Sequence, residues 1–251
     1  MTSIDKDFVF GRHAGVDFLK TQDADRINKV FLQQGVQDSF ANEVYGLAKK
    51  KGIVIQTVPK TKLDRLVQGG NHQGLVLTVA SFEYADLEQL LDQFDEQGKE
   101  PFLLMLDSIE DPHNLGSILR SADATGVDAI IIPKRHATGL TSVVAKTSTG
   151  AIDYVPVARV NNLVQTSQLL KKRGYWLFGT DMQGTDYREW NAKGKTVLVI
   201  GNEGKGIARL LKKQMDQMLT LPMVGHVQSL NASVATGILL YQMLSSRNPL
   251  K

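Results

Sequence analysis

Two short runs constrain this chain more than anything else in it. Residues 102–107 (FLLMLD) and 196–201 (TVLVIG) are apolar at almost every position and end in turns rich in Asp, Pro, Asn or Gly. A strand with one wet face alternates apolar and polar side chains, whereas one buried on both faces does not. The missing alternation therefore predicts a parallel sheet covered by helices on both sides. The segments around these runs agree. Helical spacing is expected over about 114–124, 142–146, 163–172 and 232–244. Further strands are expected at AIIIP (129–133), near 154–157, at YWLFGT (175–180) and at MLTLP (218–222). Strands alternating with helices give an α/β class, with a mostly parallel sheet over residues 101–251.

The first 80 residues form a different block. β-branched runs bounded by turn residues predict strands at 27–32, 53–58 and 74–80, with helices at 13–20 and 38–51. This is a small α/β domain over residues 1–80. Between the blocks, residues 81–100 carry 1 basic and 7 acidic side chains, and Leu87, Leu90, Leu91 and Phe94 fall on one helical face. That pattern predicts a linker helix. Residues 1–80 carry 11 basic and 8 acidic side chains, residues 101–251 carry 17 and 11. Two mildly basic blocks around an acidic one suit a chain that contacts RNA in two places, and equally an acidic solvated helix.

Composition excludes several classes. There is no apolar run of 18 residues, so no membrane span is expected. The opening MTSIDKDFVFGRH lacks the basic-then-apolar order of a signal peptide. With no cysteine there is neither a disulfide nor a thiolate metal site. The five histidines are scattered, and no metal is expected. A cytoplasmic protein follows as the expectation.

Three segments at strand ends, where parallel sheets place their ligands, hold the candidate chemistry. In LDSIEDPHNLGSILRSADATG (106–126) a helix is expected to begin near Asn114, a good cap, with Arg120 further along it. In VLVIGNEGKGI (197–207) a strand opens into a glycine turn that carries Glu203. Its order, G-x-x-G-x-G, is not the dinucleotide fingerprint G-x-G-x-x-G. Gly194-Lys195-Thr196 is no phosphate loop either, since Glu189 stands where that motif needs Gly. In LPMVGHVQSLNASVATGILLYQM (221–243), Ser229, Asn231 and Ser233 cluster where the last helix starts. Capping accounts for one of the three. Each segment alone reads as easily as an ordinary turn or cap.

Together they resemble the three motifs of the SpoU (TrmH-like) RNA ribose 2′-O-methyltransferases: DPHNLGSILRSA, then GNEGKG, then LPM…SLNASVA, in family order. FGRHAGV (10–16) and NHQGLVL (71–77) resemble the amino-terminal substrate-binding domain of members that methylate a guanosine of 23S ribosomal RNA. The resemblance implies a SPOUT-type catalytic domain with a carboxy-terminal trefoil knot, a homodimer, and S-adenosylmethionine as methyl donor. It places Thr180, Gly201, Asn202, Leu221, Met223, Ser229 and Leu230 around that cofactor. It puts Arg120, Asn114, Glu203, Ser229 and Asn231 at the catalytic centre.

A guanidinium stays charged in proteins, so Arg120 is better suited to clamping a phosphate and stabilising a developing alkoxide than to serving as base. His113 and His226 are alternative bases. Arg12, His13, His72 and Gln73 are the candidate RNA contacts of the first domain, with the Lys49–Lys51 run beside them. The competing readings are a transfer RNA enzyme of the same family and a non-catalytic RNA-binding assembly factor.

Overall fold

The computed structural model describes residues 8–22, 24–80, 82–227 and 229–248. The chain divides into two compact units, one running up to Glu83 and including Gly139–Ser142, the other holding Tyr84–Thr138 and the chain from Val143 onward.

The first unit holds β1 (Phe8–Phe10), α1 (Arg12–Thr21), β2 (Ile27–Gln33), α2 (Asp38–Lys50), β3 (Ile55–Val58), α3 (Lys60–Leu66) and β4 (Leu75–Val79). Its sheet runs β1-β4-β2-β3, with β2 and β3 parallel and the other pairs antiparallel. Successive strand residues point to opposite faces, and the core divides accordingly. Val30, Leu32, Leu75 and Leu77 pack with Leu19 of α1 and Val44 of α2. Phe31 and Val76 turn the other way, onto Leu63 of α3. β1 and α3 were not anticipated. β1 has three residues, and KTKLDRL offers Leu63 and Leu66 as its only apolar anchors, too few for a periodic signal.

The second unit contains α4 (Leu87–Glu96), β5 (Phe102–Leu106), α5 (Pro112–Thr125), β6 (Ala129–Pro133), α6 (Ser142–Ser148), β7 (Val157–Val160), α7 (Leu163–Lys172), β8 (Trp176–Asp186), β9 (Thr196–Ile200), α8 (Arg209–Lys212), β10 (Gln217–Thr220) and α9 (Ala232–Arg247). Six strands pair in parallel in the order β10-β8-β9-β5-β6-β7. All five residues of β5 and all five of β9 are buried, as their unbroken apolar runs require. Leu103, Met105, Val197 and Val199 face a core completed by α4 and α7, while Phe102, Leu104 and Leu106 are buried on the opposite side. The acidic helix expected as a linker is α4, and its Leu87, Leu91 and Phe94 join this core. Its carboxylates Asp92 and Asp95 bind Arg173, and Asp95 also takes Lys195. The Lys195 ammonium holds the Asp95 carboxyl below its ordinary range.

Among the boundaries that differ from expectation, three do so for local reasons. The strand expected at 154–157 lies at Val157–Val160, because Tyr154 ends a 3-10 turn and is exposed. β8 continues past Thr180 to Asp186. α5 begins at Pro112, not near Asn114, and its cap is Asp111, whose carboxylate accepts the His113 N–H at 2.9 Å. Proline suits the first helical position because its missing N–H costs nothing there. The shift frees Asn114 from capping.

Candidate active site at the strand tips

β5 and β9 are paired with Leu106 opposite Ile200, so the residues after them emerge side by side at the carboxyl edge of the sheet. Asp107 ties the two tips together. Its N–H donates to the Ile200 carbonyl at 2.8 Å, and its buried carboxylate accepts the Ala208 N–H at 2.7 Å. Ser108 is held in the left-handed region, φ 63°, and its carbonyl accepts Asn202 Nδ2 at 3.0 Å. Asn202 Oδ1 then accepts the N–H groups of Gly204 and Lys205 at 3.0 and 3.2 Å, closing the glycine turn. A Cβ at Gly201 would lie 2.2 Å from the Gly206 carbonyl carbon, so no other residue fits where the backbone doubles back. Asp107 and Ser108 were missed as candidates. The available signal was an acid at the end of a fully apolar parallel strand.

The glycine turn places Glu203 within reach of two helix starts. Glu203 Oε1 accepts Asn114 Nδ2 at 2.8 Å, Asn231 Nδ2 at 2.7 Å and the Ala232 N–H at 3.2 Å. Asn231 Nδ2 also donates to Asn114 Oδ1 at 2.9 Å. Asn231 is the cap of α9, its Oδ1 accepting the N–H groups of Ser233 and Val234. One residue of the third segment thus caps the helix with its oxygen and joins the network with its nitrogen. A carboxylate at the first turn of α9 also meets the positive end of that helix. The structure brings together Asn114, Glu203 and Asn231, one from each segment.

Arg120 is exposed and its guanidinium has no partner among the described residues. Six positions place it about 240° around the helix from Asn114, so it leaves a different face. Ser229 and His226 are likewise exposed and without a partner among the described residues, and Gln228 between them lies outside those residues. The exposed His113 faces Thr147, Nδ1 to Oγ1 at 3.4 Å. Thr180 Oγ1 donates to the Val199 carbonyl at 3.4 Å, across the β8–β9 seam. Next to it Asp181 pairs with Lys212, whose ammonium holds the carboxyl below its usual range. Leu221 and Leu230 are half-buried and Met223 is exposed. In the first unit, Arg12, His72 and Gln73 meet at one cavity, and His13 is exposed away from its lining.

A parallel α/β sheet with a glycine turn and an amide–carboxylate network at its strand tips defines a class of ligand-binding α/β domain. Residues 101–241 match the SpoU rRNA Methylase family, and residues 8–85 match the RNA 2′-O ribose methyltransferase substrate binding domain. The chain belongs to the SpoU family of RNA methyltransferases. It is 49% identical over 244 residues to the Bacillus subtilis protein YacO, assigned to the TrmH family of tRNA/rRNA methyltransferases, covering 97% of each chain. A Staphylococcus aureus relative assigned to the same family is 48% identical over 241 residues, covering 96% of each. Among solved structures, an AdoMet-bound rRNA methyltransferase from Sinorhizobium meliloti shares the fold with a TM-score of 0.60 and 24% identity, covering 98% of this chain and 88% of that one. The SpoU methyltransferase AviRb from Streptomyces viridochromogenes, also with AdoMet, gives a TM-score of 0.59 at 23% identity, over 96% and 90%. Among the described residues no group of His, Cys, Asp or Glu could hold a metal ion, and no helix is long and apolar enough to cross a membrane.

Proposed function

We propose that the chain transfers the methyl group of S-adenosylmethionine to the ribose 2′-oxygen of a guanosine in 23S ribosomal RNA, as a cytoplasmic homodimer. The observation that carries this reading is the Asn114–Glu203–Asn231 network, which binds all three segments into one site, while Arg120, further along the helix that carries Asn114, is exposed and without a partner among the described residues. The residues present fit the cofactor. The tight turn at Gly201 and Asn202 and the apolar Leu221, Met223 and Leu230 would hold a ligand that is polar at one end and aromatic at the other, with Thr180 and Ser229 completing the set. When bound, the cofactor supplies an electrophilic methyl group, so the protein's work is alignment and easing loss of the hydroxyl proton.

Arg120 serves as a clamp on the RNA phosphate that orients the ribose and stabilises negative charge developing on the 2′-oxygen. Asn114, Glu203 and Asn231 fix the loops that present the cofactor. The homodimer draws support from α9, where Val234, Ile238 and Tyr241 are exposed along one stripe at helical spacing. The carboxy-terminal trefoil knot belongs to the same proposal. The test is transfer of labelled methyl groups to unmodified 23S and transfer RNA, with mapping of the modified ribose, and sedimentation of the enzyme. Label at one guanosine in 23S RNA is expected. Label in transfer RNA alone overturns the substrate, and a fully active monomer overturns the dimer.

A further inference from the structure

The first unit carries a cavity of about 850 Å³ formed by the start of α1, the turn after β2, the start of α3 and the loop 69–74. That lies within the roughly 300–1,000 Å³ of pockets that take small ligands. Arg12 is fixed in its wall. Its backbone N–H donates to Gln73 Oε1 at 3.1 Å, its Nε to the Gln73 carbonyl at 3.4 Å, and its guanidinium lies 4.6 Å from the Phe40 ring centre. The two terminal nitrogens keep their donors free among the described residues, and so does the Lys60 ammonium.

Opposite in charge, Asp64 is fixed from below. His72 is 4% exposed, and its Nδ1 accepts the Gly74 N–H at 3.0 Å. The ring proton of the neutral imidazole therefore sits on Nε2, which donates to Asp64 Oδ1 at 3.0 Å. Asp64 Oδ2 is left open. Gln68 and Gln73 hold the loop in the left-handed region, φ 48° and 50°, a conformation non-glycine residues adopt at a cost and that gathers at binding sites.

A simple anion would meet Arg12 and Lys60 but be repelled by Asp64. The ligand must offer negative charge and hydrogen-bond donors together. We propose that this cavity receives one unstacked nucleotide of the substrate RNA, its phosphate held by Arg12 and Lys60 and its base edge read by Asp64. Guanine is the base that fits, because its adjacent N1–H and N2–H₂ groups match a carboxylate. His72 is then a positioning residue acting through Asp64. The proposal rests on the reading that the first unit selects RNA; splayed loop bases are the usual specific targets in RNA.

The test uses the full chain and a dye-labelled RNA hairpin with an all-uridine loop, against the same hairpin with one loop guanosine. Anisotropy should give about tenfold tighter binding of the guanosine loop. Arg12→Ala and Lys60→Ala should each weaken both hairpins about tenfold and lower the slope of log affinity against log salt by about one. Asp64→Asn, which keeps the side chain's shape, should erase the guanosine preference, and a melting curve shows whether each variant is folded. Unchanged affinity and slope in both cation variants, no loop preference in the wild type, or a preference that survives Asp64→Asn overturns the proposal. Methyl transfer is measured separately: a chain with the expected hairpin pattern that methylates no RNA defeats the enzyme reading alone.

Discussion

In the second unit the polar groups of the site come from positions 114, 203 and 231 and meet because β5, β9 and the start of α9 open at one edge of a parallel sheet. In the first unit, Asp64, His72 and Gln73 lie within ten positions of one another and meet through a strained loop, with Arg12 joining from the start of α1. One site is assembled by topology and the other by local backbone geometry. The contrast extends to the cores: a doubly covered parallel sheet against a mixed sheet whose alternating residues fill two smaller clusters. On the proposed roles, chemistry that needs fixed distances among distant groups would sit on the sheet edge, and recognition of a flexible partner on the loop.

The sharpest way to break this division is Arg120→Ala. If Arg120 acts on the developing alkoxide as proposed, removing its charge should cut methyl transfer by about a thousandfold, in the range for loss of one such group. Cofactor affinity and binding of the guanosine-loop hairpin should stay within about twofold. A parallel fall in cofactor affinity, by calorimetry, would place Arg120 in the cofactor site instead of over the ribose.

A pair of core truncations tests whether the two units fail separately. Leu104 and Leu77 are both fully buried, one in each unit. Each Leu→Ala change should cost about 2–5 kcal/mol, through lost transfer energy and the cavity left behind. Leu77→Ala should weaken hairpin binding and spare cofactor binding, and Leu104→Ala should do the reverse. If either variant loses both activities in one thermal transition, the units share a single cooperative fold.

What the sequence disclosed follows the same line. The strands β5 and β9 were legible because burial on both faces removes alternation, and the three segments were legible as strand ends. Which side chains meet came from the resemblance, which put Asn114, Glu203 and Asn231 at one centre, and not from local pattern: Asn114 by itself read as a cap, since nothing local distinguishes a capping Asn from one whose cap role is taken by Asp111. Asp107 gave no motif of its own. The Glu203 triad joins residues 89 and 28 positions apart, a distance periodicity does not carry. In the first unit Arg12, His72 and Gln73 were found by resemblance, whereas Asp64 and Lys60 went unseen because α3 itself left no pattern. α4 shows what apolar positions add to charge arithmetic: the acidic residues alone would suit a solvated helix, and Leu87, Leu91 and Phe94, on the apolar face that predicted a linker helix, make it part of the second core.

A smaller effect separates the network's structural role from its catalytic one. Glu203→Ala leaves the buried Asn114 amide and the Ala232 N–H without their acceptor. An unsatisfied group of this kind costs about 1–3 kcal/mol, or a fall of a few degrees in Tm for a chain this size. Glu203→Gln keeps an oxygen there and should recover most of that stability. If it recovers stability but not methyl transfer, the charge of Glu203 matters to the reaction and its geometry alone does not suffice.

The smallest expected effect lies at the far end of β8, where the half-buried Asp186 is held by a single neighbouring residue. Its carboxylate accepts the Arg188 guanidinium and the Arg188 N–H, and the guanidinium bond is the main reason its pKa falls to about 2. The folded value lies below that of the unfolded chain, about 3.9. The stabilisation is therefore present above about pH 4 and is lost as pH drops through about 2. The pair is solvent-facing, so its contribution at neutral pH is small. Arg188→Ala should raise the Asp186 titration midpoint, followed by carboxyl NMR, toward the unfolded value, while Tm at pH 7 and methyl transfer hardly move. A midpoint that stays near 2 would mean that the backbone N–H holds the charge by itself. In that case a half-buried carboxylate at a strand end is fixed by local backbone geometry, as in the first unit, and the line between the two kinds of site would no longer follow the boundary between the units.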